Sequence, residues 1–430
     1  MRRFIFFSLI LVFIMSSCSL SSSQTDIDGL TLEECIKLAL NNHPSLRSAK
    51  SSTRDFIAQL ESVRASNRVK VNLTGSITHS GTYERGDDRN NATSLRLEAT
   101  KTLYDTGRTR LRAEMAEESI KGSLETERQT QIQVAANAKR AYYDLVLRFL
   151  NRDVEREKLH NSEEQLKNAQ GLYEVGNSPF VDVTKAQADV SSAKVSLMKA
   201  ENDILVYQEA LRVAMGTDIN GPFNIALSTE LILPSPADDV NVLISRAFED
   251  RPDYQKLLHD LRNAELSVTD TARTNSPTIT GSAGTSLSNS EKANASEAYN
   301  FAVNMTVPLE DGGAMKASLE SKRAALERTE ASIESLKQSL TYEIRKAVLE
   351  LTNAIDVVRS SEISVQYAEE SLALERGRYE VGIGDPLSVS DAVSKLAAAR
   401  YTYYQALHDA QKARADLDEA LGHFPPELED

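Results

Sequence analysis

The chain says one thing twice. Tyr173-Glu174-Val175-Gly176 returns about 206 residues later as Tyr379-Glu380-Val381-Gly382, far beyond the ~20–50 residues of a solenoid unit. At the same spacing Ala214-Met215-Gly216 returns as Ala420-Leu421-Gly422, and Asp105-Thr106-Gly107 has its counterpart near Glu310-Asp311-Gly312. A period this long marks a duplicated half-molecule. A length of 430 residues would allow two or three separate domains, but the duplication argues for one interlocked body built from two similar halves.

The N-terminus carries an export signal. Arg2 and Arg3 precede an apolar run from Phe4 to Met15, followed by Ser16-Ser17-Cys18. Residues 1–17 therefore read as a signal peptide, whose apolar core is too short to span a bilayer. Cysteine directly after the small residues resembles a bacterial lipobox, with Cys18 as the lipidated first residue of the mature chain, although Met15 stands where leucine is more usual. The competing reading is an ordinary signal with an incidental cysteine. Residues 18–29, rich in Ser and Thr, read as a tether.

Cys35 is then the one remaining thiol, so the mature chain has no internal disulfide and depends on packing. It lies among Leu32, Ile36, Ala39 and Leu40 at helical spacing, which predicts a small buried residue and not a nucleophile. A net charge of −14 argues against nucleic-acid binding, which needs a basic face. No later stretch approaches the ~20 apolar residues of a spanning helix, so any membrane crossing must use strands.

Leu30 to Asn42 reads as a short amphipathic helix stopped by His43-Pro44, and Val240 to Asp250 as its counterpart stopped by Arg251-Pro252. A second helix follows each, over 45–67 and 253–274. Alternation comes next: Val69, Val71, Leu73 and Ile77 interleave with Lys70, Asn72 and Thr74, and Leu95, Leu97 and Ala99 with Arg96 and Glu98. The second half repeats it with Ile279, Gly281 and Ala283, then Tyr299, Phe301, Val303, Met305 and Val307. This predicts strands at about 69–79, 94–103, 278–287 and 299–308, each about nine to eleven residues, the length that crosses a bilayer at a tilt.

From Gly107 to Gly176, and from Gly313 to Gly382, only single glycines interrupt, each costing about 1 kcal/mol in a helix. Helices of about 70 residues are on the order of 100 Å long, more than a globular domain accommodates. After each tip, Ala186, Val190, Ala193, Leu197, Ala200, Ile204, Tyr207, Leu211 and Ala214 recur in steps of four and three, as do their counterparts from Ala392 to Ala420. That heptad seam, half of it alanine, predicts closely packed helices. The halves span 30–216 and 240–424, joined by a Gly/Pro-containing linker at 217–239 and followed by a tail at 425–430.

The order of short helices, strand pair, very long helix, Tyr-x-x-Gly tip and coiled-coil helix, given twice behind a lipid-type signal, resembles the TolC-type outer-membrane efflux proteins (outer membrane factors), lipoprotein subtype, over the whole mature chain. The resemblance implies a mainly α fold with a membrane β-barrel portion. In that fold a homotrimer contributes four strands per chain to one twelve-stranded barrel, above a long periplasmic α-helical barrel. It implies a passive exit duct served by a periplasmic adaptor and an inner-membrane pump, embedded in outer-membrane lipid, with no cofactor beyond the lipid on Cys18. Independently, four spanning strands cannot close alone, and open edges are not tolerated in lipid. Three copies would give an even-numbered barrel of ordinary size, with Arg96, Glu98, Asn300 and Asn304 toward the lumen and the loops at 80–93 and 288–298 outside the cell. A soluble pair of hairpins packed on a core is the competing reading.

In the family the Tyr-x-x-Gly turns mark the periplasmic entrance where the adaptor docks. The matching positions are Tyr173, Val175, Gly176, Tyr379, Val381 and Gly382, although glycine would end a helix there in any case. Some members also carry two aspartates six and nine places after the second tip glycine, forming an acidic gate. Those positions are Ser388 and Asp391 here, and Asp182 and Lys185 in the first copy. Asp391 and Asp182 are the gate candidates, with Ser388 a departure from the pattern. An aspartate near a helix start also serves simply as an N-terminal charge.

Nothing points to an enzyme. The six histidines are scattered, no metal-binding pair or cysteine–histidine cluster occurs, and phosphate-binding glycine loops are missing. The rival class is a lipid-anchored periplasmic coiled-coil structural or adaptor protein, which leaves the four alternating segments unexplained.

Overall fold

A computed structural model describes residues 29–81, 90–176, 178–217, 223, 225–226, 233–290, 293–381 and 383–423. The signal peptide, Cys18, nearly all of the tether, Gly382 and the tail lie outside the described residues.

The first half opens with α1 (Leu32–Asn42) and α2 (Pro44–Ser66). A capping box starts α1: the Glu34 N–H donates to Thr31 Oγ1, and the Thr31 N–H to Glu34 Oε2 at 2.9 Å. Cys35, Ile36 and Ala39 on its inner face are fully buried. Burial, with Glu34 beside it, pushes the Cys35 thiol up to about 12, so it is an inert packing residue. Pro44 begins α2 and holds His43 in extended conformation, which makes the corner between the helices.

Strands β1 (Lys70–Ser80) and β2 (Asn90–Tyr104) follow, then α3 (Arg108–Glu174) and α4 (Phe180–Met215). The second half repeats the series as α5 (Val240–Asp250), α6 (Pro252–Ala272), β3 (Thr278–Ser290), β4 (Ala293–Thr306), α7 (Ala314–Glu380) and α8 (Pro386–Leu421). The two 67-residue helices are each about 100 Å long.

Three strands outrun their predicted ends. β2 begins at Asn90, β3 continues to Ser290, and β4 starts at Ala293, so the loop predicted at 288–298 is mostly ladder. The added residues are Ser, Asn, Thr and Ala with one Glu, Glu297, and they carry no apolar alternation. The backbone ladder continues where the side-chain signal stops.

The sheet is antiparallel in the order β1-β2-β3-β4, and β2 pairing with β3 joins the two halves. Its register sorts the faces cleanly. One row across all four strands reads Val71, Ala99, Ala283, Phe301, and the next Leu73, Leu97, Thr285, Tyr299. The opposite face reads Asn72, Glu98, Gly284, Asn300, then Thr74, Arg96, Ser286, Ala298. Among the described residues nothing covers the apolar face: Phe301 is 79 % and Tyr299 83 % exposed. No strand among the described residues pairs with the outer edges of β1 and β4.

Each long helix starts on an aspartate. Asp105 accepts from the N–H groups of Gly107 and Thr109, and Asp311 from those of Gly313 and Met315. The true counterpart of Asp105-Thr106-Gly107 is thus Asp311-Gly312-Gly313, one residue on from the sequence match. Thr106 at φ 58° holds the left-handed turn that Gly312 makes at φ 67°.

Helix α3 is the hub, packed against α2, α4, α6 and α8. Helix α7 packs on α6 and α8, and it leaves Tyr342, Leu349, Ile363, Tyr367 and Leu374 exposed. The heptad seams bury Ala186, Val190, Ala193, Ile204 and Leu211 against α3, and Ala392, Leu396, Ala406, Ala410 and Leu417 in the second half. The linker crosses the first core, where Ile225 bridges Leu30 and the Tyr142 hydroxyl donates to the Ala226 carbonyl at 3.0 Å.

Candidate functional site

The two hairpin ends, α3–α4 and α7–α8, lie at the extremity farthest along the long helices from the sheet. At the first, Val175 caps α3 and Gly176 turns at φ 78°, its N–H donating to the Tyr173 carbonyl at 3.0 Å. A side chain there would force the left-handed region on a residue that avoids it, which is why glycine stands at this turn. Val175 is 69 % exposed and Val381, its counterpart, 71 %. Phe180, Val181, Ile383 and Leu387 are exposed beside them, so each end displays apolar side chains.

The two tyrosines of the repeat part company. Tyr173 lies exposed with its ring 5.4 Å from that of Phe180. The residue matching Phe180 is Pro386, so Tyr379 has no such neighbour and turns inward, half-buried, against the cluster to which Leu372 and Val389 belong. Its buried hydroxyl has no hydrogen-bond partner among the described residues. Burial first, then the charge of Asp182, push this phenol up.

Of the gate candidates, Asp182 is half-buried, accepts from the Ser178 hydroxyl at 2.7 Å, and sits in the first turn of α4. It lines a cleft between the hairpins with Gln165, Lys185, Asp189, Asp385 and Ser390. Two bonds cross this cleft: the Ser390 hydroxyl to Asp189 at 3.2 Å, and the Gln165 amide to the Pro386 carbonyl at 2.8 Å. Asp391 is exposed on α8 and paired at 2.7 Å with Lys395. Ser388 is half-buried in the first turn of α8, its N–H donating to the Asp385 carbonyl at 3.0 Å. Asp182 and Asp391 therefore do not share one cleft.

Sequence reasoning missed Asp385, Asp189 and Ser390. Asp385 was findable, because Asp-Pro before an apolar-periodic run is a helix-start signal, and Asp385 does cap α8 through the Leu387 N–H. Asp189 and Ser390 meet only because α4 and α8 come together, and no local pattern carries that. Among the described residues no group of three or more His, Cys, Asp or Glu could hold a metal ion, and no helix is long and apolar enough to cross a membrane.

The outer membrane efflux protein family model matches residues 35–217 and again 243–423, one match to each half. The chain belongs to that family. Among relatives of this outer membrane efflux protein, the toluene efflux pump outer membrane protein TtgC of Pseudomonas putida is 26 % identical over 403 residues, 91 % of this chain and 82 % of TtgC. The probable outer membrane lipoprotein SilC of Salmonella typhimurium is 22 % identical over 388 residues, covering 89 % and 84 %. A crystal structure of CusC superposes with a TM-score of 0.78 at 20 % identity, covering 91 % of this chain and 92 % of that one. The open state of the MtrE channel of Neisseria gonorrhoeae gives 0.72 at 20 % identity, over 91 % and 89 %. These likenesses place the duplicated helix–sheet architecture in one fold.

Proposed function

We propose that three copies of this outer membrane efflux protein assemble into a passive exit duct, with one shared twelve-stranded barrel in the outer membrane and a helical tunnel below it. The observation that carries this reading is the unfinished sheet. Its four strands leave both edges open and turn a continuous apolar face outward, which lipid accepts only when neighbouring copies close the ring. The helical part is unfinished in the same sense. Helix α3 is flanked on both sides by helices of its own chain, while α7 has an exposed flank that α4 and α2 of a neighbour would cover.

The duct does no chemistry of its own. A pump in the inner membrane supplies the energy, and a periplasmic adaptor docks on the tips through Tyr173, Val175, Gly176, Tyr379, Val381 and Gly382. Asp391, with Asp182 and the Ser388 position, shapes the gate just above them. A lipid on Cys18 anchors the N-terminus to the outer membrane, consistent with the lipoprotein name of SilC. The purified protein in planar bilayers is expected to give ion-conducting channels. Protein that inserts but never conducts, under any gating condition, would overturn the duct.

A further inference from the structure

Within one chain α8 lies along α3, and ionisable side chains hold that seam. Arg140 binds Asp416 at 2.7 Å and also Glu419, Arg400 binds Glu157, and the Tyr401 hydroxyl donates to Glu155 at 2.6 Å. Midway along stands His408, only 5 % exposed. Its Nε2 lies 2.7 Å from Asp144 Oδ1 on α3, and its Nδ1 2.9 Å from Asp409 Oδ1 on α8. Ionised carboxylates only accept, so both ring nitrogens donate, and a ring with two N–H groups is the imidazolium ion. The Gln405 amide is 3.4 Å from Nδ1 and makes its shorter bond, 2.9 Å, to the same Asp409 oxygen. Lys412 of α8 and Arg148 of α3 flank Asp144. From α4, the Tyr207 hydroxyl reaches Arg148.

We propose that His408 is a pH-dependent latch between the two hairpins of one chain: charged, it pins α8 to α3, and on losing its proton it turns one carboxylate bond into a lone-pair repulsion that loosens the seam. The duplication isolates the effect. In the repeat Asp144 corresponds to Glu350, Asp409 to Asp203, and His408 to Asn202. The acids are kept and the one titrating cation is replaced by an amide. Glu350 and Asn202 are both exposed, on the flanks of α7 and α4 that face a neighbouring copy in the trimer proposed above, on which this comparison rests. The switch therefore acts on the seam within each chain and leaves the seam between chains alone.

Burial works against the charge on His408, but the Asp144 and Asp409 bonds outweigh it, so the imidazole sits above its ordinary 6.5. The His408 bond likewise holds Asp144 below its ordinary 3.8, against burial. The contribution of a raised histidine is complete below its ordinary value and is lost as pH climbs through the raised one. That of a lowered aspartate is lost only as pH falls through the lowered one. The latch is closed between those two limits and opens on the alkaline side.

Hydrogen exchange on the full-length protein, purified as its native assembly and corrected for intrinsic base catalysis, tests the latch. Between about pH 6 and about pH 8.5, segments 140–148 and 404–412 should lose protection about fivefold to tenfold, the scale of a partly exposed charge-assisted bond. Segments 346–354 and 198–206 should not respond, and His408→Asn should abolish the step. Asp144→Asn, which keeps the histidine, should shrink it, so a misfolded first variant does not end the test. A step that survives His408→Asn, an equal response in both seams, or an imidazole NMR midpoint at or below the ordinary value would overturn the proposal. If the chain does not trimerise, segments 346–354 will gain no protection beyond that of the isolated chain, at any protein concentration, while the step at 404–412 persists, which separates failure of the assembly from failure of the latch.

Discussion

Asp391 and Lys395 stand one turn apart on α8 with 2.7 Å between their charges, and each sets what the other contributes near the tip. If Asp391 gives the gate its preference for cations, Asp391→Ala weakens block by multivalent cations, and Lys395→Ala, which frees the carboxylate, strengthens it. For an exposed pair the change should be about twofold to fivefold in half-blocking concentration, measured in planar bilayers. No change in either variant would remove Asp391 from the gate. Arg251 is a structural counterpart deep in the chain: it binds Asp253 at 2.7 Å and Glu343 at 3.0 Å, and donates to the Ala420 carbonyl at 2.9 Å. The repeat places His43 there, which merely accepts the Ser45 N–H. Arg251→Met should lower stability by about 2–3 kcal/mol, read as a fall in Tm, because it leaves a buried carbonyl and two carboxylates without their donor. At this scale the sequence showed which residues repeat but not which way they point. Tyr173 and Tyr379 match as letters, yet one is exposed beside Phe180 and the other is half-buried beside Asp182, a difference made by packing between hairpins.

Element boundaries were legible wherever a residue type has a single stereochemical use. His43-Pro44 and Arg251-Pro252 end α1 and α5 where proline dictates, and the Ala-x-Gly triplets of the repeat end α4 and α8. The triplet glycines also explain why the repeat is kept there. Gly216, at φ 63°, would bring a Cβ to 2.8 Å from His43 Cα, and Gly422, at φ 74°, to 3.0 Å from Arg251 Cα. Each glycine seats the end of a coiled-coil helix on the corner between two short ones. Gly216→Ala should therefore destabilise by about 1–3 kcal/mol, since it adds a backbone clash to an unfavourable φ. Gly122→Ala, inside α3 with ordinary contacts of 3.7 Å or more, should be neutral or stabilise by up to about 1 kcal/mol. Opposite signs in thermal melts would confirm the distinction, and equal losses would contradict it. Strand ends were less legible, because the Ser, Thr and Asn residues that extend β2, β3 and β4 lie on the ladder without marking a face.

For the whole molecule, duplication was legible from three short matches, and with it the two long helices and two strand pairs. What the matches did not carry is the junction: β2 pairs with β3 across the halves, so the chain presents one four-stranded sheet and not two hairpins. Long-range pairing of this kind is set by register and closure, to which local periodicity is blind. The same junction leaves β1 and β4 as the edges, and a shared barrel requires that β1 of one copy meet β4 of the next. Cysteine pairs scanned along the polar rows of β1 (Asn72, Thr74, Ser76) and β4 (Asn300, Ala302, Asn304), oxidised in intact outer membranes, test this directly. The predicted result is a ladder of covalent dimer and trimer that stops at three copies, because the third link closes the ring. A ladder that stops at two, runs past three, or shows only linkage within one chain would contradict the shared barrel.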